Sequence, residues 1–302
     1  MQAITIQIQS ILYKNEKDAI EKAIENLANA VLVARGVGKE IGEIVLRYGD
    51  ASPEPVFTQE EIANLKQEYI GILDIGVTYF NENTGTAKGH NKLAEECHTE
   101  YIMIMNPDVI VNPHIFDQLL SPFEKENGNV GITEARQTPI EHHKSYDEDT
   151  GETSWASTAC ALFRTSVFEQ VGGFDSESFF MYCDDLDFSW MVRLAGYKVI
   201  YVPGAPVFHA KSLTPNAGWQ ATKSEIYYSA EAALFLAHKW SNPERVSNLL
   251  NDFSNSQEEI YKKIAKVFKE RQKEGRLPKP IDPEHTVASF TEYGYGEYRY
   301  IL

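Results

Sequence analysis

Phe179-Phe180-Met181-Tyr182-Cys183-Asp184-Asp185-Leu186-Asp187 sets three carboxylates within four residues, and Phe188, Trp190, Met191 and Leu194 follow at helical spacing. An apolar run thus meets the start of a helix that carries Asp184, Asp185 and Asp187 in its first turn. Unpaired N–H groups and the positive end of the macrodipole favour carboxylates there. One reading is structural, with one aspartate capping the helix and the others solvated. The other is chemical. Adjacent carboxylates suit general-base work, with like-charge repulsion raising the pKa and the helix terminus opposing that shift. A second acidic turn, a distant histidine and a glycine-rich loop elsewhere in the chain favour the chemical reading.

Upstream, Ile4, Ile6 and Ile8 alternate with polar residues and predict a first strand running to Tyr13. Asn15 stands where a cap belongs, before a helix whose apolar face includes Ile20, Ile24, Leu27 and Val31. A second strand over 41–48 leaves Asp50 just past its C-terminal end, where open α/β sheets bind ligands. Thr58 and Glu61 form a capping-box pattern, and a third strand is expected over 70–79. This alternation predicts the α/β class, with a mostly parallel central sheet flanked by helices.

The loop after the third strand reads Asn83-Thr84-Gly85-Thr86-Ala87-Lys88-Gly89-His90-Asn91. Its glycines permit close backbone approach, and the helix start offers N–H groups to a phosphate or a sugar hydroxyl. A plain strand-to-helix turn needs glycine as well. The loop matches neither G-x-G-x-x-G nor G-x-x-x-x-G-K-[ST], which excludes a dinucleotide fingerprint and a P-loop. Residues 101–105 form a short buried strand that delivers Asn106-Pro107-Asp108. A carboxylate at a strand end suits a hard divalent cation on phosphate oxygens; an Asx-type turn fixed by Pro107 is the structural alternative. Asn112 and Pro113 read as cap and first residue of another helix. From Thr133 to Ser154 the sequence turns polar and is expected to form a mobile loop beside the site, with His142 and His143 exposed. Gly172-Gly173-Phe174-Asp175 makes a tight turn. The final strand ends at His209, at the same sheet edge as the other polar turns.

Of 302 residues, 44 are acidic and 28 basic, for a net charge of -16. That balance lacks the footprint of a nucleic-acid binder, and a phosphorylated ligand would need a metal ion or local N–H groups to hold it. No apolar run approaches a membrane span, and the alternating N-terminus does not read as a signal peptide. Cys97, Cys160 and Cys183 match no zinc spacing and read as reduced thiols, so the expected location is cytoplasmic.

The order of these elements resembles the family-two inverting glycosyltransferases of the GT-A fold, and among them the bacterial rhamnosyltransferase-like members that build surface polysaccharides. The motifs that carry the resemblance are the strand ending in Tyr13, the strand-end Asp50, the N-x-G-x-x-x-G-x-N loop, the N-P-D and G-G-F-D turns, the F-F-M-Y-x-[ED]-D-x-D stretch and the later histidine, and they span Ile4 to Ser212. The resemblance implies transfer of a sugar from a UDP- or dTDP-activated donor to a glycan or lipid-linked acceptor. It implies Asp185 as the general base, with Asp184 and Asp187 as supporting carboxylates. Tyr13, Asp50, Gly85, Lys88, Gly89, Asn91 and Asn106 are then the expected nucleotide-sugar contacts, Asp50 holding the base. Asp108 and His209 are the expected ligands of a divalent metal, Mn2+ or Mg2+, on the diphosphate. Asn106 replaces the first aspartate of the usual D-x-D, and Met191 stands where an arginine often follows the acidic motif; its role would pass to Arg193 or Lys211, or be lost. These two departures keep open a competing reading, a non-catalytic GT-A-like binding or scaffold subunit.

Past residue 212 the resemblance fades. Amphipathic helices are expected over 222–240, 244–253 and 257–273, which divides the chain into a catalytic domain, 1–215, and a C-terminal helical appendage with an aromatic tail, 216–302. Lys262, Lys263, Lys266, Lys269 and Lys273 suit peripheral contact with an anionic membrane; Glu258, Glu259, Glu270 and Glu274 dilute that charge and suit a solvated face. Tyr293, Tyr295, Tyr298 and Tyr300 are compatible with packing, a homodimer contact or an acceptor platform.

Overall fold

The computed structural model describes residues 3–125, 129–141, 144–209 and 222–291. The alternating isoleucines form β1 (Ile4–Leu12), with Ile6 and Ile8 fully buried. Gln7, Gln9 and Ser10 are buried too, because β1 lies inside the sheet, parallel to both β2 (Ile41–Asp50) and β4 (Tyr101–Met105). Outside β2 runs β3 (Asp74–Tyr79), again parallel. On the other side of β4 come β7 (Cys160–Arg164), β6 (Val130–Thr138), β8 (Lys198–His209) and β5 (Val109–Val111), giving the order β3-β2-β1-β4-β7-β6-β8-β5. β7 is antiparallel to β4 and β6, β6 is parallel to β8, and β5 is antiparallel to β8. Six of these eight strands therefore point the same way. Leu12, Asp50, Tyr79, Met105, Thr138 and His209 all end at one edge of the sheet, the edge where such sheets bind ligands.

One face of the sheet is covered by α1 (Lys17–Gly36), α2 (Gln59–Glu68) and α4 (Ile115–Lys125), around Ile20, Leu27, Leu46, Met103 and Phe116. The other face carries α3 (Gly85–Ala94), α5 (Thr165–Val171) and α6 (Asp184–Leu194), around Ile104 and a phenylalanine cluster in which Phe163 and Phe188 meet edge to face at 5.5 Å. A third layer, α7 (Lys223–Lys239), α8 (Pro243–Asn255) and α9 (Glu259–Lys273), buries Trp240 against Trp190 of α6 at 5.2 Å.

The capping box at Thr58 and Glu61 is present, whereas several boundaries differ from the sequence reading for local reasons. Asn15 does not cap α1; its side chain accepts from the Tyr13 N–H and shapes the turn out of β1. The third strand starts only at Asp74, because Ile72 and Leu73 donate back to the Tyr69 carbonyl around Gly71, at φ 78°. Asn112 accepts from the His114 N–H, and α4 begins later, at Ile115. The largest correction concerns 130–138, which is strand β6 and not the start of a polar loop. Thr133, Glu134 and Gln137 are interior: Thr133 donates to the Leu119 carbonyl at 2.9 Å, and Glu134 meets the equally buried Lys144 at 3.0 Å. The last strand is continuous through Pro203 because a bulge absorbs it; Ala135 aligns with Val202 and Arg136 with Pro206.

The third layer is fastened by charge as well as by apolar contact. Asp187, 1% exposed, accepts from Lys239 Nζ and from Trp240 Nε1, each at 2.8 Å, and Lys239 also bonds Asp175 at 2.8 Å. Lys239→Met would leave Asp187 buried without its counter-charge, and the expected loss is about 3 kcal/mol. Urea unfolding checks it; a loss below about 0.5 kcal/mol, ordinary for an inconsequential site, would mean that the pair fastens nothing.

Candidate active site

The acidic stretch enters α6 through two successive residues in the left-handed region, Tyr182 at φ 67° and Cys183 at φ 56°. Just before them, the Phe180 carbonyl accepts from the Thr86 N–H at 3.0 Å, and a Cβ on Gly85 would lie 2.1 Å from that same oxygen. The glycine is required by this contact. Thr86 Oγ1 also donates to Asp184 Oδ2 at 2.7 Å. The three carboxylates consequently sit in three environments. Asp184 is buried beneath α3, and burial together with the neighbouring Asp185 charge pushes its pKa up to about 7. Asp187 is buried toward α7, and burial raises it to about 6 despite the pull of Lys239. Asp185 alone of the three is only half-buried, with Oδ1 accepting from the Leu186 N–H at 2.8 Å.

A second cluster forms where β4 and β8 end. Asn106 is tied by its N–H to the Ala159 carbonyl, and β5 aligns Val109 with His209. His209 Nε2 lies 3.2 Å from Asn106 Nδ2 and 3.8 Å from Asp108 Oδ1, while its Nδ1 lies 3.0 Å from Gln137 Oε1. Gln137 in turn donates through Nε2 to Ser157 Oγ. With the amide so oriented, Nδ1 donates to Gln137 Oε1, and Nε2 faces Asn106 and Asp108. The turn through Pro107 and Asp108 is closed by the backbone, the Val109 N–H donating to the Asn106 carbonyl at 3.2 Å. One carboxylate and one imidazole lone pair fit a divalent cation whose other positions go to phosphate and water. Among the described residues, no group of three or more His, Cys, Asp or Glu comes together in a metal-binding cluster.

The remaining expected donor contacts divide. Tyr13, 46% exposed, stands open at the end of β1. Asp50 is the last residue of β2 and fully buried, its oxygens accepting from the Ser52 and Val56 N–H groups at 3.0 and 2.7 Å. It shapes the rim from within and does not present its carboxylate outward. The start of α3 is not an open anion cradle either, since the Gly85 N–H donates to Asn83 Oδ1 and the Thr86 N–H to Phe180. Gly89 lets α3 close on β1, a Cβ there meeting Ile11 at 2.8 Å. Asn91 clasps the G-G-F-D turn, bonding the Phe174 carbonyl and N–H at 2.7 and 2.9 Å. Lys88 is an exposed partner of Glu82.

The sequence reading missed Gln137, Thr86 and Lys239, which orient the residues it had named. Gln137 lies in β6, whose polar sequence reads as a loop; Thr86 lies in the glycine loop, where its hydroxyl is the signal that marks it. Arg193 does not take over an arginine's role near Asp185. It sits at the far end of α6 and donates to the Val287 carbonyl at 2.7 Å. Lys211, His142, His143 and the tail tyrosines Tyr293, Tyr295, Tyr298 and Tyr300 lie outside the described residues.

The strand order and the polar turns gathered at one sheet edge define the GT-A fold of the nucleotide-diphospho-sugar transferases. The chain belongs to the family-two glycosyltransferases: the family described as Glycosyltransferase like family 2 matches residues 56–226, more than half of its length. It is 48% identical over 58 residues to N-acetylglucosaminyl-diphospho-decaprenol L-rhamnosyltransferase of Mycobacterium tuberculosis (strain CDC 1551 / Oshkosh), covering 19% of each chain. Rhamnosyltransferase WbbL of Escherichia coli (strain K12) is 27% identical over 179 residues, covering 48% of this chain and 65% of that one. The chain thus spans less than two thirds of the length of these relatives. The crystal structure of GalNAc-T7 with UDP, GalNAc and Mn2+ superposes with a TM-score of 0.62 at 13% identity, over 91% of this chain and 56% of that one. That likeness is one of fold.

The raised pKa of Asp184 gives stability a definite pH dependence. A carboxyl that holds its proton more tightly when folded contributes stability that is lost as pH rises from about 4, its unfolded value, through about 7. Asp184→Asn cannot ionise. Relative to the wild type it should gain stability between pH 4 and pH 8, on the order of 1–4 kcal/mol. Melting curves across that range check this, and a constant difference between the two proteins would contradict the raised value.

Proposed function

We propose that this protein is an inverting glycosyltransferase that moves a sugar from a UDP- or dTDP-activated donor to a glycan or lipid-linked acceptor in bacterial surface polysaccharide synthesis. The observation that carries the reading is the contrast among the carboxylates: Asp185 is half-exposed at the site edge while Asp184 and Asp187 are locked on either side. A base must reach the acceptor hydroxyl, and its supports must not move. Asp185 takes the hydroxyl proton as the acceptor oxygen attacks the anomeric carbon, and the bond to the diphosphate breaks on the opposite face. Asp108 and His209 would hold a divalent cation, which supplies charge neutralisation for the departing diphosphate. Asn106 and Gln137 keep the His209 lone pair aimed there. Tyr13 and the loop closed by Asp50 border the donor.

The relatives' names, both rhamnosyltransferases and one acting on a decaprenol-linked substrate, support a rhamnose donor and a lipid-linked acceptor. Mn2+ in GalNAc-T7 supports that metal. The scaffold reading is not favoured, since the acidic stretch and its supports are intact. No helix among the described residues is long and apolar enough to cross a membrane. On α9, Lys262 pairs with Glu259 and Lys266 with Glu270, which supports a solvated face over a lipid-binding one. Because α7 to α9 share an apolar core with Phe179, Leu186 and Trp190, we read the C-terminal helices as part of the catalytic unit.

Asp185→Asn should leave melting temperature and donor affinity almost unchanged while turnover falls by about 10²- to 10⁴-fold; near wild-type turnover would remove the base assignment. Asp108→Ala and His209→Ala should each abolish the metal-dependent part of nucleotide binding, read by calorimetry with UDP and dTDP in Mn2+ or EDTA. Equal Mn2+-dependent affinity in both variants and the wild type would sink the metal site.

A further inference from the structure

Two consecutive non-glycine residues in the left-handed region do not hold that conformation unaided, and Tyr182 and Cys183 do so immediately before Asp184 and Asp185. On one side the turn is held by α3, through Thr86 to the Phe180 carbonyl and to Asp184. The other side belongs to α7. Tyr182 donates its phenol to Glu225 Oε1 at 3.2 Å, and the Phe180 ring stacks on Tyr228 at 4.5 Å with 27° between the planes. Glu225 is itself fixed, because its Oε2 accepts from the Thr222 N–H in the capping box that starts α7. The far end of the same helix supplies Lys239, which holds Asp187. Asp185 is thus flanked in sequence by two points of attachment to one helix, on residues 180–182 and on residue 187.

We propose that Glu225 and Tyr228 are positioning residues: they fix the left-handed turn and so set where the Asp185 carboxylate stands against the acceptor hydroxyl. This rests on the reading of Asp185 as the base. α7 acts on the chemical step through the turn and not on the reacting atoms, whereas Asp108 and His209, the residues read as cation ligands, follow β4 and end β8. Loosening the turn therefore lowers turnover and spares donor affinity, a split that a merely structural contact would not produce.

Tyr182→Phe deletes only the phenol that reaches Glu225, Tyr228→Leu removes the stacked ring, and Tyr228→Phe keeps it. The readout is nucleoside-diphosphate release from the sugar nucleotide that the wild type turns over, with donor KM and melting temperature, alongside Asp185→Asn. Tyr182→Phe and Tyr228→Leu are expected to lose about tenfold to hundredfold in kcat, with donor KM within about twofold and Tyr228→Phe close to wild type. Wild-type kcat in Tyr182→Phe and Tyr228→Leu, with or without a lower melting temperature, while Asp185→Asn is inactive, would overturn the positioning role alone. An active Asp185→Asn would instead overturn the base assignment and the inference with it.

Discussion

The C-terminal helices are held to the acidic stretch by one buried ion pair. Asp187 in the first turn of α6 meets Lys239 at the last residue of α7, with Trp240 and Asp175 completing the set of partners. A carboxylate so thoroughly buried is tolerable only because a full charge and an indole N–H face it. The pair fixes α7 on α6, and with α7 in place the Trp190–Trp240 contact and the apolar core of the C-terminal helices can form. A continuous run of acidic residues is thereby distributed over three separate surroundings.

This division of labour follows from which element reaches each side chain. α3 reaches Asp184 with a hydroxyl, α7 reaches Asp187 with an ammonium, and Asp185 keeps access to the site edge. Neutral and charged supports have different effects: Thr86 steadies a group whose burial favours the protonated form, whereas Lys239 keeps a charge in place against its own desolvation. The same logic governs the second cluster, where Gln137 decides which nitrogen of His209 faces Asp108.

Much of this was legible in the sequence because it is local. The alternation of Ile4, Ile6 and Ile8, the Thr58–Glu61 box and the helix behind Asp184 each announce themselves within a few residues. The residues that orient the site are not local. Lys239 lies 52 positions from Asp187 and Gln137 lies 72 from His209, and no spacing rule connects them. Strand β6 was misread for a related reason: Thr133, Glu134 and Gln137 look like loop residues, and only their buried partners Leu119, Lys144 and Ser157 show them to be interior. The glycine loop misled in the opposite sense. Gly85 and Gly89 suggested room for a ligand, and the structure spends that room on Phe180 and Ile11.

The reversed strand β7 has its own effect on the site. Because it runs against β4 and β6, its N-terminal approach reaches the edge at which its neighbours end, and that approach is Ala156, Ser157, Thr158, Ala159 and Cys160. Small side chains therefore pave the ground between Asn106, held by the Ala159 carbonyl, and Gln137, held by Ser157. Ala159 is itself buried, so a larger side chain there would press on the two strand ends that carry Asn106 and Gln137, and the histidine between them would feel it.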